Sequence, residues 1–271
     1  MTDPNDVPII THKDYLSPSV FTPENLLREA RRQKSIPEGT VPKICILDPD
    51  GDIVQNLVSS RLAERNRDWA CYHTSMYDFT YEGIAFGIVG NAVGASFAVL
   101  VAEEIFACGC ELLISMTSAG QIVLKGSPPY FVLIEKALRD EGTSYHYLPH
   151  AQFSTISPKL LAGLRGVFEK SQPPVFQGAT WTTDAPFRET ETAISYSRSE
   201  GILGVEMEAA ALYAFAAAKQ HPVICFAHIT NQMGNVDNDF EKGEAQGSLD
   251  AVEVISQAAK AWLARAVSKR E

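Results

Sequence analysis

Apolar positions along this chain fall into short unbroken runs separated by longer stretches with helical spacing, and that alternation limits the fold before any motif is considered. Short apolar runs bounded by turn residues read as buried strands, and longer stretches of period 3.6 read as helices. Strands are expected at 43–47, 84–89, 112–116 and 223–230. Helices are expected at 22–34, from the acidic loop to about 65, at 96–107, from Pro128-Pro129 to about 142, at 209–218 and at 249–267. The first of these opens on Thr22-Pro23-Glu24, a cap followed by proline. Strands alternating with helices predict an α/β fold of three layers, α/β/α, around a mixed and mostly parallel central sheet. Residues 1–21 are Pro-rich and irregular and read as an N-terminal arm; 22–271 read as one domain, with no linker inside it. In such sheets ligands bind beyond the carboxyl ends of the strands, where Asp50, Ser118 and Asn231 fall.

The most informative stretch is Gly204-Val205-Glu206-Met207-Glu208-Ala209-Ala210-Ala211-Leu212-Tyr213. Residues two apart face different ways in a helix and the same way in extended chain, so Glu206 and Glu208 can share a pocket only near a strand or loop end. A carboxylate there can accept from two vicinal sugar hydroxyls, while Met207 packs an apolar ring face. The plainer reading is an acidic helix start favoured by the dipole. Gly94-Ala95-Ser96 opens another helix, whose first N–H groups are either an anion site or an ordinary serine cap. Ser118-Ala119-Gly120 follows a strand; Gly120 lets a flat base lie against the backbone. In Trp181-Thr182-Thr183-Asp184-Ala185-Pro186-Phe187-Arg188, Phe187 can stack and Arg188 can donate to a carbonyl oxygen.

In their order and spacing these pieces resemble the nucleoside phosphorylase family, which includes uridine and purine nucleoside phosphorylases and related nucleosidases, most nearly its uridine phosphorylase branch. His12 in Ile10-Thr11-His12-Lys13, the loop Leu47-Asp48-Pro49-Asp50-Gly51-Asp52, Ser115-Met116-Thr117-Ser118-Ala119-Gly120 and Ala227-His228-Ile229-Thr230-Asn231 belong to the same likeness. The resemblance implies a phosphorylase/hydrolase-like fold and cleavage of a nucleoside N-glycosidic bond by phosphate. It implies that Glu208, Met207 and His12 hold the ribose, and that Gly94, Ser96, Ser118 and His73 hold phosphate. It places the base against Gly120, Phe187, Arg188, Glu206 and Asn231, with Glu208 and Arg188 in the catalytic roles. An amide at Asn231 cannot deliver a proton but can bond an oxo group, which points to uridine or a 6-oxopurine rather than adenine. His12 and His73 would serve a neighbour's site, in a homodimer or a trimer of dimers. No metal or organic cofactor follows from this chemistry.

Two departures matter. Where the family places phosphate-binding arginines, this chain has Ile53 and Ser115, and a third would align near His73. Water could then replace phosphate, with Asp50 or Asp52 orienting it. Ile44-Cys45-Ile46-Leu47-Asp48-Pro49-Asp50-Gly51 also resembles the opening of Mg²⁺-dependent haloacid-dehalogenase phosphatases, although no strand ending in Gly-Asp accompanies it. A non-catalytic nucleoside-binding protein is the third reading.

Composition trims these readings. A net charge of −10 leaves no clustered cations for nucleic acid, while a neutral nucleoside meets no penalty. Five cysteines without a C-x-x-C pair read as reduced core thiols in a cytoplasmic protein, and Cys108-Gly109-Cys110 lacks a second ligand pair for a metal. No apolar run reaches membrane length, and the first residues carry no apolar leader.

Overall fold

The computed structural model describes residues 7–233, 237 and 239–267. In chain order the elements begin α1 (Pro23–Lys34), β1 (Ile44–Asp48), α2 (Asp52–Ser59), β2 (Ala63–Arg65), β3 (Met76–Tyr81), β4 (Ile84–Gly90), α3 (Ala95–Ala107) and β5 (Leu112–Gln121). They continue with β6 (Tyr130–Asp140), β7 (Phe153–Thr155), α4 (Pro158–Gly163), β8 (Val175–Thr183), α5 (Glu191–Ser199), β9 (Ile202–Glu206), α6 (Ala209–Lys219), β10 (Val223–Asn231) and α7 (Ser248–Val267). The sheet is mixed. Its parallel heart runs β4-β1-β5-β10, and β5, β10, β6, β8 and β9 pair in a closed ring, so half of the sheet curls on itself. Helices α1, α3 and α6 pack together as one group, and α2, α4 and α7 as another, flanking the sheet in the expected layers.

The segment opened by Pro128-Pro129 is strand β6, not a helix. Its first half, Tyr130-Phe131-Val132-Leu133-Ile134, is buried throughout and lies between β10 and β8, where an aromatic and β-branched run packs on both faces. The helix expected to reach 65 stops at Ser59, and the chain returns as β2, antiparallel to β3. β3, β7, β8 and β9 carry no clear signal in the sequence; β8 and β9 each contain a glycine, β8 three threonines as well, and both owe their state to neighbours distant in sequence.

Alanines set the position of the site. α3 and α6 pack against each other through Ala95, Ala98, Ala102, Ala209 and Ala210, all fully buried, and side chains this small allow close backbone approach. Tyr213 pins α6 below: its hydroxyl donates to the Ile134 carbonyl at 2.6 Å and accepts from the Cys225 N–H at 3.0 Å. The N-termini of α3 and α6 thereby meet at the carboxyl end of β5.

The described part of the arm lies on its own chain. Lys13 Nζ sits 3.0 Å from His146 Nδ1, and the Tyr15 hydroxyl donates to the Tyr145 carbonyl at 3.4 Å.

Candidate active site

Glu208 is the N-cap of α6, and its carboxylate ties three elements together. Oε1 accepts from the Gly94 N–H at 2.7 Å, at the head of α3, and Oε2 accepts from the Thr117 hydroxyl of β5 at 2.8 Å. Gly94, at φ 89°, holds the conformation that aims its N–H there, one that side-chain-bearing residues rarely adopt. The anion site expected at the α3 N-terminus is thus occupied by a carboxylate of the chain itself. Burial, with the nearby charge of Glu206, pushes the Glu208 carboxyl up. Met207 stands beside it, half-buried.

Glu206 has another task. It is 3% exposed, and its oxygens accept from the hydroxyls of Thr180 and Thr182 and from the N–H groups of Glu208 and Ala209, the last two at 2.7 and 2.8 Å. Four internal donors saturate the carboxylate, so the base contact expected of Glu206 is corrected: it caps α6 from within. Thr182 donates to Glu206 and accepts from the Ala210 N–H at 2.9 Å.

The loop after β1 forms the next wall. Asp48 is buried, its Oδ2 accepting from the Val54 N–H at 2.9 Å, and burial raises its carboxyl to about 7 despite that bond. Through Oδ2, Asp48 closes the first turn of α2. Asp50 accepts from the Ser118 N–H at 2.9 Å, and Asp52 pairs with Lys242. Asp48, Asp50, Asp52, Thr117, Ser118 and His228 line a cavity of about 20 Å³, room for about one water. His228 stacks on Phe131 at 4.5 Å between ring centroids, and burial lowers it to about 4, leaving it neutral. Ile53 is buried, and Ser115 is 1% exposed with an unpartnered hydroxyl. Neither position carries a cation.

The segment expected to meet a base is open to solvent. Phe187 is 99% exposed and Arg188 is exposed, on a single 3₁₀ turn after β8. Gly120 is covered: a Cβ there would lie 2.4 Å from Met233 Sδ and 3.1 Å from Asn231 Oδ1, so a base reaches it only by displacing Met233. Asn231 Oδ1 accepts from the Met233 N–H at 2.9 Å. His73 stands on the surface, its ring 6.4 Å from Phe97 in the first turn of α3, near exposed Ser96. His12 is exposed on the arm. The fold therefore gathers Glu208, Met207, Gly94 and Ser118, sets Ser96 and His73 at the rim, and leaves Phe187, Arg188 and His12 outside. Thr117 and Lys242 escaped the sequence reading, for Lys242 meets Asp52 across 190 residues.

A larger cavity of about 780 Å³, lined by Pro158, Ala216, His221 and Trp262, lies at the opposite ends of α6 and β10. It holds no convergence of carboxylates and hydroxyls, and Glu208 marks the chemical site. Among the described residues no helix is long and apolar enough to cross a membrane, and no cluster of three or more metal-ligating side chains occurs. Cys108 and Cys110 are buried thiols.

Known proteins resemble this chain in sequence and in fold. The sequence profile of the phosphorylase superfamily matches residues 43–267. A guanosine phosphorylase of Halorubrum lacusprofundi is 24% identical over 238 residues, covering 86% of this chain and 92% of its own. A DeoD-type purine nucleoside phosphorylase of Colwellia psychrerythraea is 27% identical over 143 residues, 52% of this chain and 61% of its own. Among solved structures, a uridine phosphorylase from Vibrio fischeri ES114 superposes with a TM-score of 0.69 at 22% identity, covering 82% of this chain and 92% of that one. The Helicobacter pylori 5'-methylthioadenosine/S-adenosyl homocysteine nucleosidase superposes with a TM-score of 0.64 at 16% identity, covering 80% and 99%. The chain belongs to the phosphorylase superfamily and is an enzyme of pentosyl transfer.

Proposed function

We propose that the enzyme cleaves the N-glycosidic bond of a nucleoside with an oxo base, uridine or a 6-oxopurine nucleoside, and transfers the pentosyl group to phosphate. The observation that carries this is Glu208, a buried carboxylate held by the Gly94 N–H, the Thr117 hydroxyl and, at 3.3 Å, the Met207 N–H, where the heads of α3 and α6 meet. The ribose 2′ and 3′ hydroxyls replace the Gly94 and Thr117 donors, and the Met207 side chain covers the sugar ring. A phosphate oxygen then bonds to C1′ while the C1′–N bond breaks. The electron pair leaves on the base, whose charge Arg188 and Asn231 receive after the exposed turn of residues 186–188 swings inward and Met233 moves aside. Such a reaction passes through an oxocarbenium-like sugar, which a nearby carboxylate stabilises. The name of the Halorubrum relative supports the oxo-base reading, since guanosine is a 6-oxopurine nucleoside. Assembly is proposed as a homodimer or a trimer of dimers, with His12 and His73 serving the neighbouring site. In domain terms, 1–21 is proposed as the arm and 22–271 as the enzyme unit.

A second reading, water as acceptor, is favoured by the acidic wall of Asp48, Asp50 and Asp52 and by a cavity of about 20 Å³. One experiment separates the two: release of base from uridine, inosine, guanosine and adenosine, with and without phosphate. Phosphate-dependent release with ribose 1-phosphate as product and adenosine as the poorest substrate is the expected result. Equal release without phosphate, yielding free ribose, establishes the nucleosidase instead. Light scattering that finds a fully active monomer rules out the shared sites.

A further inference from the structure

Three aspartates within five residues line one small cavity with Ser118, the residue expected to meet phosphate, and each has its own partner. Asp48 holds the Val54 N–H and Asp50 the Ser118 N–H. Asp52 pairs with Lys242, the one ion pair recorded at this loop among the described residues. Lys242 is brought there at a cost. In the segment leading to α7, Phe240, Ala245 and Gln246 adopt positive φ of 74°, 50° and 59°, a region that residues with side chains occupy rarely and under strain. Two contacts pin the segment. The Ser248 hydroxyl lies 3.1 Å from the Asp52 carbonyl, and Gly247 lies so close to His228 that a Cβ would stand 2.3 Å from its ring. The Asp52 and Lys242 side chains are 25% and 22% exposed, withdrawn from bulk water yet open to a small solute. Burial works against the ammonium charge, while the hydrogen bond and charge of Asp52, with the charges of Asp50 and Asp48, outweigh it and keep Lys242 protonated.

Resting on the phosphorolytic reading, we propose that Lys242 is the phosphate-binding cation of this enzyme and that Asp52 is its built-in competitor. Phosphate binds by drawing the ammonium from Asp52, which supplies a positive charge that neither Ile53 nor Ser115 can offer. Because Asp52 must be displaced, the affinity for phosphate is set by the difference between two charge-assisted bonds rather than by one. A high phosphate KM follows, with Asp52 as the residue that tunes it.

The test is calorimetric titration of the full chain with orthophosphate, alongside phosphate KM values for base release from the best nucleoside of the panel. Lys242→Met should weaken phosphate binding and raise its KM about 10- to 100-fold, the worth of one charge-assisted hydrogen bond, with the nucleoside KM unchanged. Lys242→Arg should restore phosphate binding to within about threefold of wild type, since it keeps the charge. Asp52→Asn should tighten phosphate binding about 3- to 10-fold by removing the competitor. If Lys242→Met does not fold, Asp52→Asn decides alone. Unchanged phosphate affinity in the variants overturns the proposal. A wild-type enzyme that binds no phosphate and releases base equally without it overturns the phosphorolytic reading itself, and that outcome is read before any variant is made.

Discussion

The proposed sugar side and the proposed base side of this site are built in opposite ways. Around Glu206 and Glu208, at most 3% exposed, every recorded donor has its acceptor: two threonines of β8, Thr117 of β5 and the N–H groups that head α3 and α6. On the base side Phe187 stands almost fully in water, Arg188 is exposed, and Met233 covers the glycine that a base would lie against. Groups that bind the constant part of a substrate can be fixed by the fold itself. Groups that read its variable part are left on a surface turn, to be organised by the ligand or by a neighbouring subunit.

The largest effect expected from this contrast falls on the carboxylate that touches no substrate. Glu206→Ala leaves the hydroxyls of Thr180 and Thr182 and two N–H groups of α6 without their acceptor in a dry interior, and should cost about 3–5 kcal/mol of stability. Urea unfolding measures this. A midpoint within error of wild type would show that water replaces the carboxylate and that the site is wetter than its burial implies. Glu208→Gln keeps one acceptor oxygen and the shape, so it should fold, yet turnover should fall by roughly 100-fold through weakened bonds to two sugar hydroxyls. Wild-type kcat in that variant removes Glu208 from the sugar site.

These two carboxylates also mark how far the sequence could be read. That they lie at a strand-to-helix junction was legible, because only there can neighbours two apart serve one place, and β9 ends at Glu206 while α6 begins at Ala209. Their separate duties were not legible. Thr180 and Thr182 reach Glu206 through the parallel pairing of β8 with β9, and a strand pairing has no local signal. For the same reason β6 read as a helix: Glu135-Lys136-Ala137-Leu138 favours one locally, and its buried first half settles the matter only once β8 and β10 flank it. The apolar strands β1, β4, β5 and β10 and the alanine-rich α6 were readable because burial alone fixes them.

A third variant sharpens the contrast at the acidic loop. Buried Asp48 titrates near 7 in the folded chain and near 3.8 when unfolded. Between those values the folded chain holds a proton that the unfolded chain has lost, so this residue lowers stability progressively as pH rises from about 4 to about 7, and no further above. Asp48→Asn stays neutral and keeps an oxygen for the Val54 N–H. It should therefore gain on wild type across that window, by on the order of 4 kcal/mol at pH 8 relative to pH 4. A pH-independent difference between the two proteins would mean that Asp48 is ionised throughout.

The smallest effect belongs to Phe187. Its ring makes no recorded aromatic contact and is 99% exposed, so Phe187→Ala should change stability by less than about 0.5 kcal/mol. Stacking on a base is worth about 1–3 kcal/mol, and part of that is consumed in ordering the turn of residues 186–188. The expected outcome is an unchanged melting temperature with a nucleoside KM raised about fivefold, roughly 1 kcal/mol, and kcat unaffected. An unchanged KM would place Phe187 outside the base site. A KM change that appears only at concentrations where the protein self-associates would show that a second subunit, rather than the base, turns the segment inward.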